Sequence, residues 1–205
     1  MKAGGGSRKG AAFERSLCAQ LSLWWTGGDP LADLFWRSSQ SGGRATTRQK
    51  KGLNASNHCG DITALHPLGS VLTDVMTLEC KAGYPRASLG NLLDLPMTSA
   101  QQPYEEWYQQ AEEASARAKS FSWLIIHKRN KCEPVVTMPW RLLERLRTAG
   151  ALKTTPVPFM AFSTQLRVKT DGKSRLIVAK LASMHLKHFL HGVKPVHVRA
   201  VWKTI

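Results

Sequence analysis

The residues best suited to chemistry are two carboxylates and a lysine: Asp61, and the pair Glu79 and Lys81 on either side of Cys80. Hydrolysis of a phosphodiester at neutral pH needs a hard divalent cation, and such ions prefer oxygen ligands. Asp61 and Glu79 would supply the oxygens, and the ammonium of Lys81 would orient the attacking water or stabilise charge on the phosphate. On a strand, Glu79 and Lys81 share one face, while Cys80 points into the core and offers the metal only its backbone carbonyl. The pattern predicts a metal-dependent nuclease site.

The segment around these residues favours the site over chance, although Glu-x-Lys on a strand is usually a solvated face. Asp61 follows Gly60 and opens a short strand-like run at residues 62–65, residues 66–70 are rich in turn formers, and residues 71–78 are apolar and β-branched. We therefore expect a β-hairpin whose two strands carry the two carboxylates.

The charge of the chain indicates an acidic polymer as partner. Its 205 residues include 29 Lys and Arg against 14 Asp and Glu, a formal charge of +15, and counterion release from phosphates is the obvious use of such an excess. No acidic residue occurs between positions 37 and 60, directly before Asp61, and the alternative for this stretch is a solvated loop without a partner. Its basic residues are Arg37, Arg44, Arg48, Lys50 and Lys51.

Length and composition argue against several other classes of protein. The length fits one domain or a domain with a small appendage, and no signal peptide or apolar run of ~20 residues is present, so we expect a soluble, intracellular protein. The cysteines at positions 18, 59, 80 and 132 are scattered without a C-x-x-C pair, so free thiols are expected rather than disulfides or a zinc site. His58 beside Cys59 makes a poor zinc site without a second pair.

The elements that must position the site follow from periodicity. Phe13, Leu17, Leu21 and Trp24 recur at helical spacing, with Glu14 at the edge of this apolar face. Further predicted elements are an extended segment at 36–38, helices at 99–119 and 140–148, strands at 121–127 and 134–138, and in the last third strands at 175–181 and 196–202 around a short helix at 184–190. This order predicts an α/β fold with a mixed central sheet flanked by helices. After Glu144 the only acidic residue is Asp171, so the last third should extend the nucleic-acid surface; the alternative is a basic face without a partner.

Four motifs in order resemble the PD-(D/E)xK nuclease superfamily. They are Lys9-Gly10-x-x-Phe13-Glu14-Arg15 opening a helix, then Arg37 with Ser41-Gly42-Gly43, then Gly60-Asp61, then Glu79-Cys80-Lys81. Within the superfamily the order looks most like archaeal-type Holliday junction resolvases and their phage relatives. The resemblance implies a restriction-endonuclease-like fold.

The resemblance also implies roles for individual residues. Asp61, Glu79 and the Cys80 carbonyl would hold Mg²⁺, for which Mn²⁺ would substitute, and Glu14 would complete the site or bind a second ion. Lys81 would be the catalytic lysine. The resemblance implies that Arg37 and Ser41 handle the phosphate, and the charge of the basic segment adds Arg44, Arg48, Lys50 and Lys51 as DNA-binding residues.

On this interpretation residues 1–9 form a flexible basic N-terminus, residues 10–150 the nuclease domain, and residues 151–205 a basic C-terminal extension able to pack on it. The expected protein is an Mg²⁺-dependent DNA endonuclease, a homodimeric Holliday junction resolvase of recombination, repair or phage DNA processing, in the cytoplasm of a bacterial or phage-infected cell. Two alternatives stay open: a restriction-like or flap-cutting nuclease of the same fold, and a non-catalytic DNA-binding protein. A zinc-dependent hydrolase is a distant third.

Three departures from the superfamily pattern bear on these expectations. Position 60 is glycine instead of proline, which is tolerable because that residue contributes only backbone, and position 80 is cysteine where a hydrophobic residue is usual. The segments 44–60 and after Met138 are longer than in a minimal resolvase, so substrate preference does not carry over with the chemistry.

Overall fold

The computed structural model describes residues 5–29, 33–38, 60–94, 100–155 and 157–205. Six α-helices occur in these ranges: α1 Gly5–Thr26, α2 Pro67–Val75, α3 Pro103–Ala118, α4 Trp140–Thr148, α5 Leu186–Gly192 and α6 Pro195–Trp202. The strands are β1 Phe35–Arg37, β2 Ile62–Ala64, β3 Met76–Ala82, β4 Ser122–Lys128, β5 Val135–Pro139, β6 Met160–Thr170 and β7 Lys173–His185. A short 3-10 helix covers Leu89–Leu92.

The centre of the fold is a five-stranded sheet in the order β3-β4-β5-β7-β6. β3 and β4 are parallel, and the other neighbours are antiparallel. β1 and β2 form a separate antiparallel pair, in which Arg37 lies opposite Ile62. The prediction of a mixed sheet flanked by helices is confirmed, and the arrangement is consistent with a restriction-endonuclease-like fold.

Two apolar clusters lie on opposite faces of the sheet. The larger cluster contains residues of the helices α1, α2, α4, α5 and α6 and the sheet residues Leu78, Leu124 and Ile126. The smaller packs α3, through Trp107 and Ala111, against Trp123 and other residues on the other face. Because side chains alternate along a strand, Leu78 and Cys80 face the first cluster, while Glu79 and Lys81 face α3.

The predicted hairpin between the two carboxylates is wrong, because helix α2 separates β2 from β3. His66 caps this helix by accepting a hydrogen bond from the Leu68 backbone, and Pro67 occupies its first turn. The buried residues Gly69, Leu72 and Val75 recur every three positions, as on a helix face. The run of apolar and β-branched residues suggested a strand, but the His66 cap and the helical spacing of the buried residues favour the helix.

The last third also differs from its prediction. Residues 196–202 belong to helix α6, not to a strand: Pro195 starts the helix, and Val198 and Val201 are buried at helical spacing. The strand predicted at 175–181 is part of the longer β7, which pairs with β5 on one side and β6 on the other. Residues 151–205 therefore contribute two strands to the central sheet.

The cysteines and the helices of the described residues bear on the expectations of free thiols and of no membrane-spanning segment. Cys18, Cys80 and Cys132 are free thiols, as predicted, and Cys59 lies outside the described ranges. None of the helices in the described ranges combines the length and hydrophobicity of a transmembrane segment.

Candidate active site

Asp61 is fixed at the free edge of β3. Its backbone N–H donates to the Leu78 carbonyl at 2.8 Å, and its Oδ2 accepts a hydrogen bond from the Cys80 N–H at 2.8 Å. Gly60 makes this approach possible. It adopts φ +80°, and an added Cβ would lie 2.7 Å from Thr77 Cγ2 and 2.9 Å from the Leu78 oxygen. Proline fixes φ near −65° and could not adopt this conformation, so glycine at position 60 is a requirement of the local backbone.

Glu79 and Lys81 share the face of β3 that is turned towards α3. Lys81 Nζ lies 3.3 Å from Glu79 Oε2 and donates to Gln110 Oε1 of α3 at 2.8 Å. The Lys81 side chain is only 13% exposed, so the ammonium is held in place by these two partners rather than by solvent.

Glu14 and Arg37 form the other half of the constellation. α1 carries Glu14, β1 carries Arg37, and Arg37 Nε donates to Glu14 Oε2 at 2.9 Å. The strand pair β1–β2 brings Arg37 next to Asp61, because the residue after Arg37, Ser38, donates its N–H to the Asp61 carbonyl.

The site concentrates negative charge in a poorly solvated place. Glu14 and Asp61 are each 9% exposed and Glu79 is 8% exposed. Burial raises the pKa of Asp61 above its usual range, against the opposing effects of the Cys80 N–H and the Lys81 charge. Burial, followed by the negative charge of Asp61, raises the pKa of Glu79 to about 7, although Lys81 opposes the shift. The carboxylates are therefore close enough to destabilise one another's charged forms.

Cys80 contributes through its backbone. Its side chain packs against the larger core cluster, and burial raises the pKa of its thiol well above the usual value. Since the N–H and C=O of one strand residue point to the same edge of a sheet, the Cys80 carbonyl faces the edge where Asp61 accepts the Cys80 N–H.

The donors at this edge fit a hard divalent cation. Three buried carboxylates and a backbone carbonyl are oxygen ligands, which Mg²⁺ and Mn²⁺ prefer. Among the described residues, Arg37 and Lys81 form ion pairs with these acids, and the charge of Arg117 also acts on Glu79. As the side chains stand, no three His, Cys, Asp or Glu residues in the described ranges surround a common point closely enough to hold an ion. Glu14 and Glu79 are each occupied by a cationic partner, which an ion would have to replace.

Six residues singled out from the sequence lie together in the fold: Glu14, Arg37, Asp61, Glu79, Cys80 and Lys81. The other five, Ser41, Arg44, Arg48, Lys50 and Lys51, lie outside the described residues. Gln110 was missed by sequence reasoning although it contacts Lys81 directly. Its only signal is its position three residues after Trp107 and four before Ala114, both of which face the sheet.

Comparison with known proteins agrees with this geometry. A family model described as "Phage putative PDDEXK endonuclease" matches residues 5–193. No curated protein and no solved structure matches the chain. The match spans all six residues and most of the chain, and the chain therefore belongs to this family of phage PD-(D/E)xK endonucleases.

Proposed function

We propose that this member of the phage endonuclease family hydrolyses DNA phosphodiester bonds with a divalent metal ion. The observation that carries the proposal is the convergence of Glu14, Asp61 and Glu79 with Lys81 at one edge of β3. Burying three carboxylates close together is unfavourable in a purely structural cluster, because desolvation destabilises each charge and, in the described part of the chain, ion pairs hold Glu14 and Glu79 alone among the three.

Asp61, Glu79 and the Cys80 carbonyl would hold the ion, which we take to be Mg²⁺ with Mn²⁺ as a substitute, and Glu14 would complete the site or serve a second ion. When bound, the ion would polarise the phosphate and make water a stronger nucleophile at neutral pH. The raised pKa values of Asp61 and Glu79 support this assignment, because a divalent cation would remove the repulsion between the two carboxylates.

Lys81 would act on the nucleophile and on the developing charge. Its Nζ is positioned by Glu79 and Gln110, and an ammonium held at this point can donate to the attacking water or to a phosphate oxygen. Gln110 would keep Lys81 in place when Glu79 turns towards the ion.

Arg37 would neutralise the phosphate. Its Nε is bound to Glu14, and one third of its side chain is exposed, so the rest of the guanidinium fork remains available to an incoming anion. The basic residues from Arg44 to Lys51 would add contacts to the DNA backbone, because they follow Arg37 directly in sequence.

Branched DNA is the substrate that we propose, processed by a symmetric homodimer in the cytoplasm of a bacterial or phage-infected cell. The support is the order of four motifs, which resembles that of Holliday junction resolvases. A four-way junction has two-fold symmetry, and paired cuts would require two copies of the site.

The test compares substrates with the purified full chain. Four-way junctions, flaps and linear duplex of matched length are each incubated with the protein in Mg²⁺, in Mn²⁺ and in EDTA. We expect junction cleavage in either metal, with little cutting of linear duplex and none in EDTA. Equal cutting of all three substrates would leave an endonuclease but contradict the resolvase proposal. Tight binding without cleavage in any divalent metal would contradict the enzyme proposal in favour of a DNA-binding protein.

A further inference from the structure

The hairpin of β6 and β7 extends well past the rest of the sheet. β5 pairs with β7 only at residues 181–185 of β7. β6 pairs with β7 over a longer stretch, from the pair Met160–Ser183 to the pair Thr170–Lys173. Residues 163–180 therefore form a two-stranded overhang, which we call the ribbon, and its eight-residue strands span roughly 26 Å. Asp171 and Gly172 close it in a tight turn with φ +51° and +74°.

One face of the ribbon and its outer edge are held by α3. Leu166 and Ala179 lie in the smaller core cluster with Trp107 of α3. Along the edge of β6, the Arg167 N–H donates to Glu105 Oε1 at 2.7 Å and the Lys169 N–H donates to Gln109 Oε1 at 2.9 Å. The overhang is thus a fixed part of the molecule.

The opposite face is exposed and carries Leu176 and Val178 together with the basic residues Arg167, Lys169 and Lys180. Leu176 is 59% and Val178 70% exposed. Two more basic residues, Lys173 and Arg175, share the face turned towards α3 but are exposed near the turn, and the ribbon's single acidic residue is Asp171. In the part of the chain that the structure describes, none of these five basic residues forms an ion pair. These side chains are therefore available to an anionic partner.

Helix α3 connects the ribbon to the candidate active site. Gln110 contacts Lys81, and the preceding residue, Gln109, contacts Lys169. β3 and β6 are the two edge strands of the sheet, four strand spacings or roughly 19 Å apart, and α3 packs on one face of this sheet. One helical turn of duplex DNA, about 34 Å, is longer than this distance.

We propose that the ribbon is a docking site for duplex DNA. The basic side chains would contact phosphates, and the face with Leu176 and Val178 would lie towards a groove, since the major groove admits a two-stranded β-ribbon. The partner follows from charge complementarity: five basic residues and one acid suit a polyanion. This inference rests on the proposed function for the identity of the substrate as DNA.

The test measures DNA binding separately from cleavage. Lys169, Lys173 and Arg175 are changed together to Gln; Arg167 is kept because its guanidinium already donates to the Ala100 carbonyl. The matched control changes three exposed lysines elsewhere, Lys153, Lys187 and Lys203, to Gln, which lowers the net charge by the same amount. Anisotropy of a labelled linear duplex is followed against salt concentration in EDTA, after the unfolding midpoint has shown that each variant is folded.

We expect the ribbon variant to bind about tenfold or more weakly, and the slope of log K against log salt to fall in magnitude by about 2.7, because each lost phosphate contact removes about 0.9. The control should keep the wild-type slope to within about one. Leu176→Glu, which places a negative charge at the groove without removing a basic residue, should also weaken binding.

Several results would overturn the inference. If the ribbon variant and the control lost DNA affinity equally, only the net charge of the protein would matter. If the slope of log K against log salt were unchanged in the ribbon variant, the ribbon would not contact phosphates. If Leu176→Glu left DNA affinity unchanged but altered the mass of the protein in solution, the ribbon would be a contact between copies. If the wild type cuts DNA and the ribbon variant binds DNA normally, the ribbon is not a docking site, but the proposed function stands. If the wild type binds no DNA, the proposed function is contradicted as well.

Discussion

Asp61 and Glu79 are acids in surroundings that disfavour their charged forms, and Gly60 is the residue that makes their proximity possible. Its positive φ lets Asp61 reach the Cys80 N–H across the edge of β3. A side chain at position 60 would strain the backbone and also collide with Thr77 and Leu78. The placement of Asp61 at the edge of β3 therefore depends on glycine at position 60.

Gly60→Ala should lower the free energy of unfolding by at least about 2 kcal/mol, because it adds a steric clash to the strain of a positive φ. Gly83→Ala is the matched control: Gly83 has φ +85°, but an added Cβ would meet nothing within 4 Å. The control should lose only about 1 kcal/mol. Denaturant unfolding measures both, and equal losses would mean that the close approach to β3 does not matter.

His127 predicts a pH dependence of stability. It lies on β4 in register with Lys81, its Nδ1 is 3.0 Å from the Tyr104 hydroxyl, and burial lowers its pKa to about 4. The unfolded chain protonates near pH 6.5, so the unfolded state binds more protons between these values. The contribution of neutral His127 to the free energy of unfolding is therefore complete above pH 6.5, and it decreases as pH falls towards 4.

His127→Gln should therefore remove about 2 kcal/mol of the difference in unfolding free energy between pH 7 and pH 5. Tyr104→Phe is the control, because it removes the hydrogen bond and leaves the buried imidazole; it should keep the wild-type pH dependence. Denaturant unfolding in EDTA at the two pH values gives the comparison. If His127→Gln shows the same pH dependence as the wild type, other groups control it.

At the residue scale, the sequence singled out six candidate residues that the fold brings together. Asp61, Glu79 and Lys81 were recognisable by type and spacing, and the resemblance added Glu14 and Arg37. The positive φ of Gly60 and the contact of Gln110 with Lys81 were not predictable, because both depend on the approach of segments distant in sequence.

At the scale of elements, two wrong predictions have a common cause. Residues 71–78 and 196–202 are rich in β-branched residues, which favour a strand when propensity is considered alone, and of these only 76–78 lie in a strand. In the structure Pro67 and Pro195 each start a helix, and the buried positions follow helical spacing. Burial depends on tertiary neighbours, so the cap residues were the stronger signal.

Helix α3 makes an element-scale prediction through Glu105. This carboxylate is fully buried, and its two oxygens accept hydrogen bonds of 2.7 Å from the backbone N–H groups of Gln102 and Arg167. It therefore joins the start of α3 to the edge strand β6.

Glu105→Gln should lower the free energy of unfolding by about 2 kcal/mol, since an amide has one acceptor oxygen and would turn its NH₂ towards a backbone N–H. Glu106→Gln changes the adjacent, exposed residue in the same way and should stay within about 0.5 kcal/mol of the wild type. Thermal or denaturant unfolding measures the difference. Equal effects of the two changes would show that the edge of β6 does not depend on Glu105.

At the scale of the whole molecule, the fold class followed from the order of predicted elements, and the family match extends to residue 193. The position of β7 between β5 and β6 could not be predicted, because strand order depends on long-range pairing. The excess of positive charge was visible in the composition, but its concentration on the ribbon follows only from the hairpin geometry.

Metal binding should be visible in the stability of the whole protein. Mg²⁺ that binds only the folded state raises the unfolding midpoint, and relief of repulsion between the buried carboxylates adds to this effect. We expect an increase in wild type and a much smaller one in Asp61→Asn, at ionic strength matched with NaCl. The same increase in both proteins would mean that Mg²⁺ does not bind at this edge of β3.

The most direct test of the central claim is cleavage of a four-way junction by wild type, Glu79→Gln and Lys81→Ala, with Lys153→Ala as a control at an exposed lysine. DNA binding in EDTA is measured in parallel, to show that each variant still holds its substrate. We predict that Glu79→Gln and Lys81→Ala lose cleavage by about 10²-fold or more, bind DNA within a few-fold of wild type, and that Lys153→Ala cuts normally. Cleavage by Glu79→Gln and Lys81→Ala at the wild-type rate would contradict the assignment of the active site.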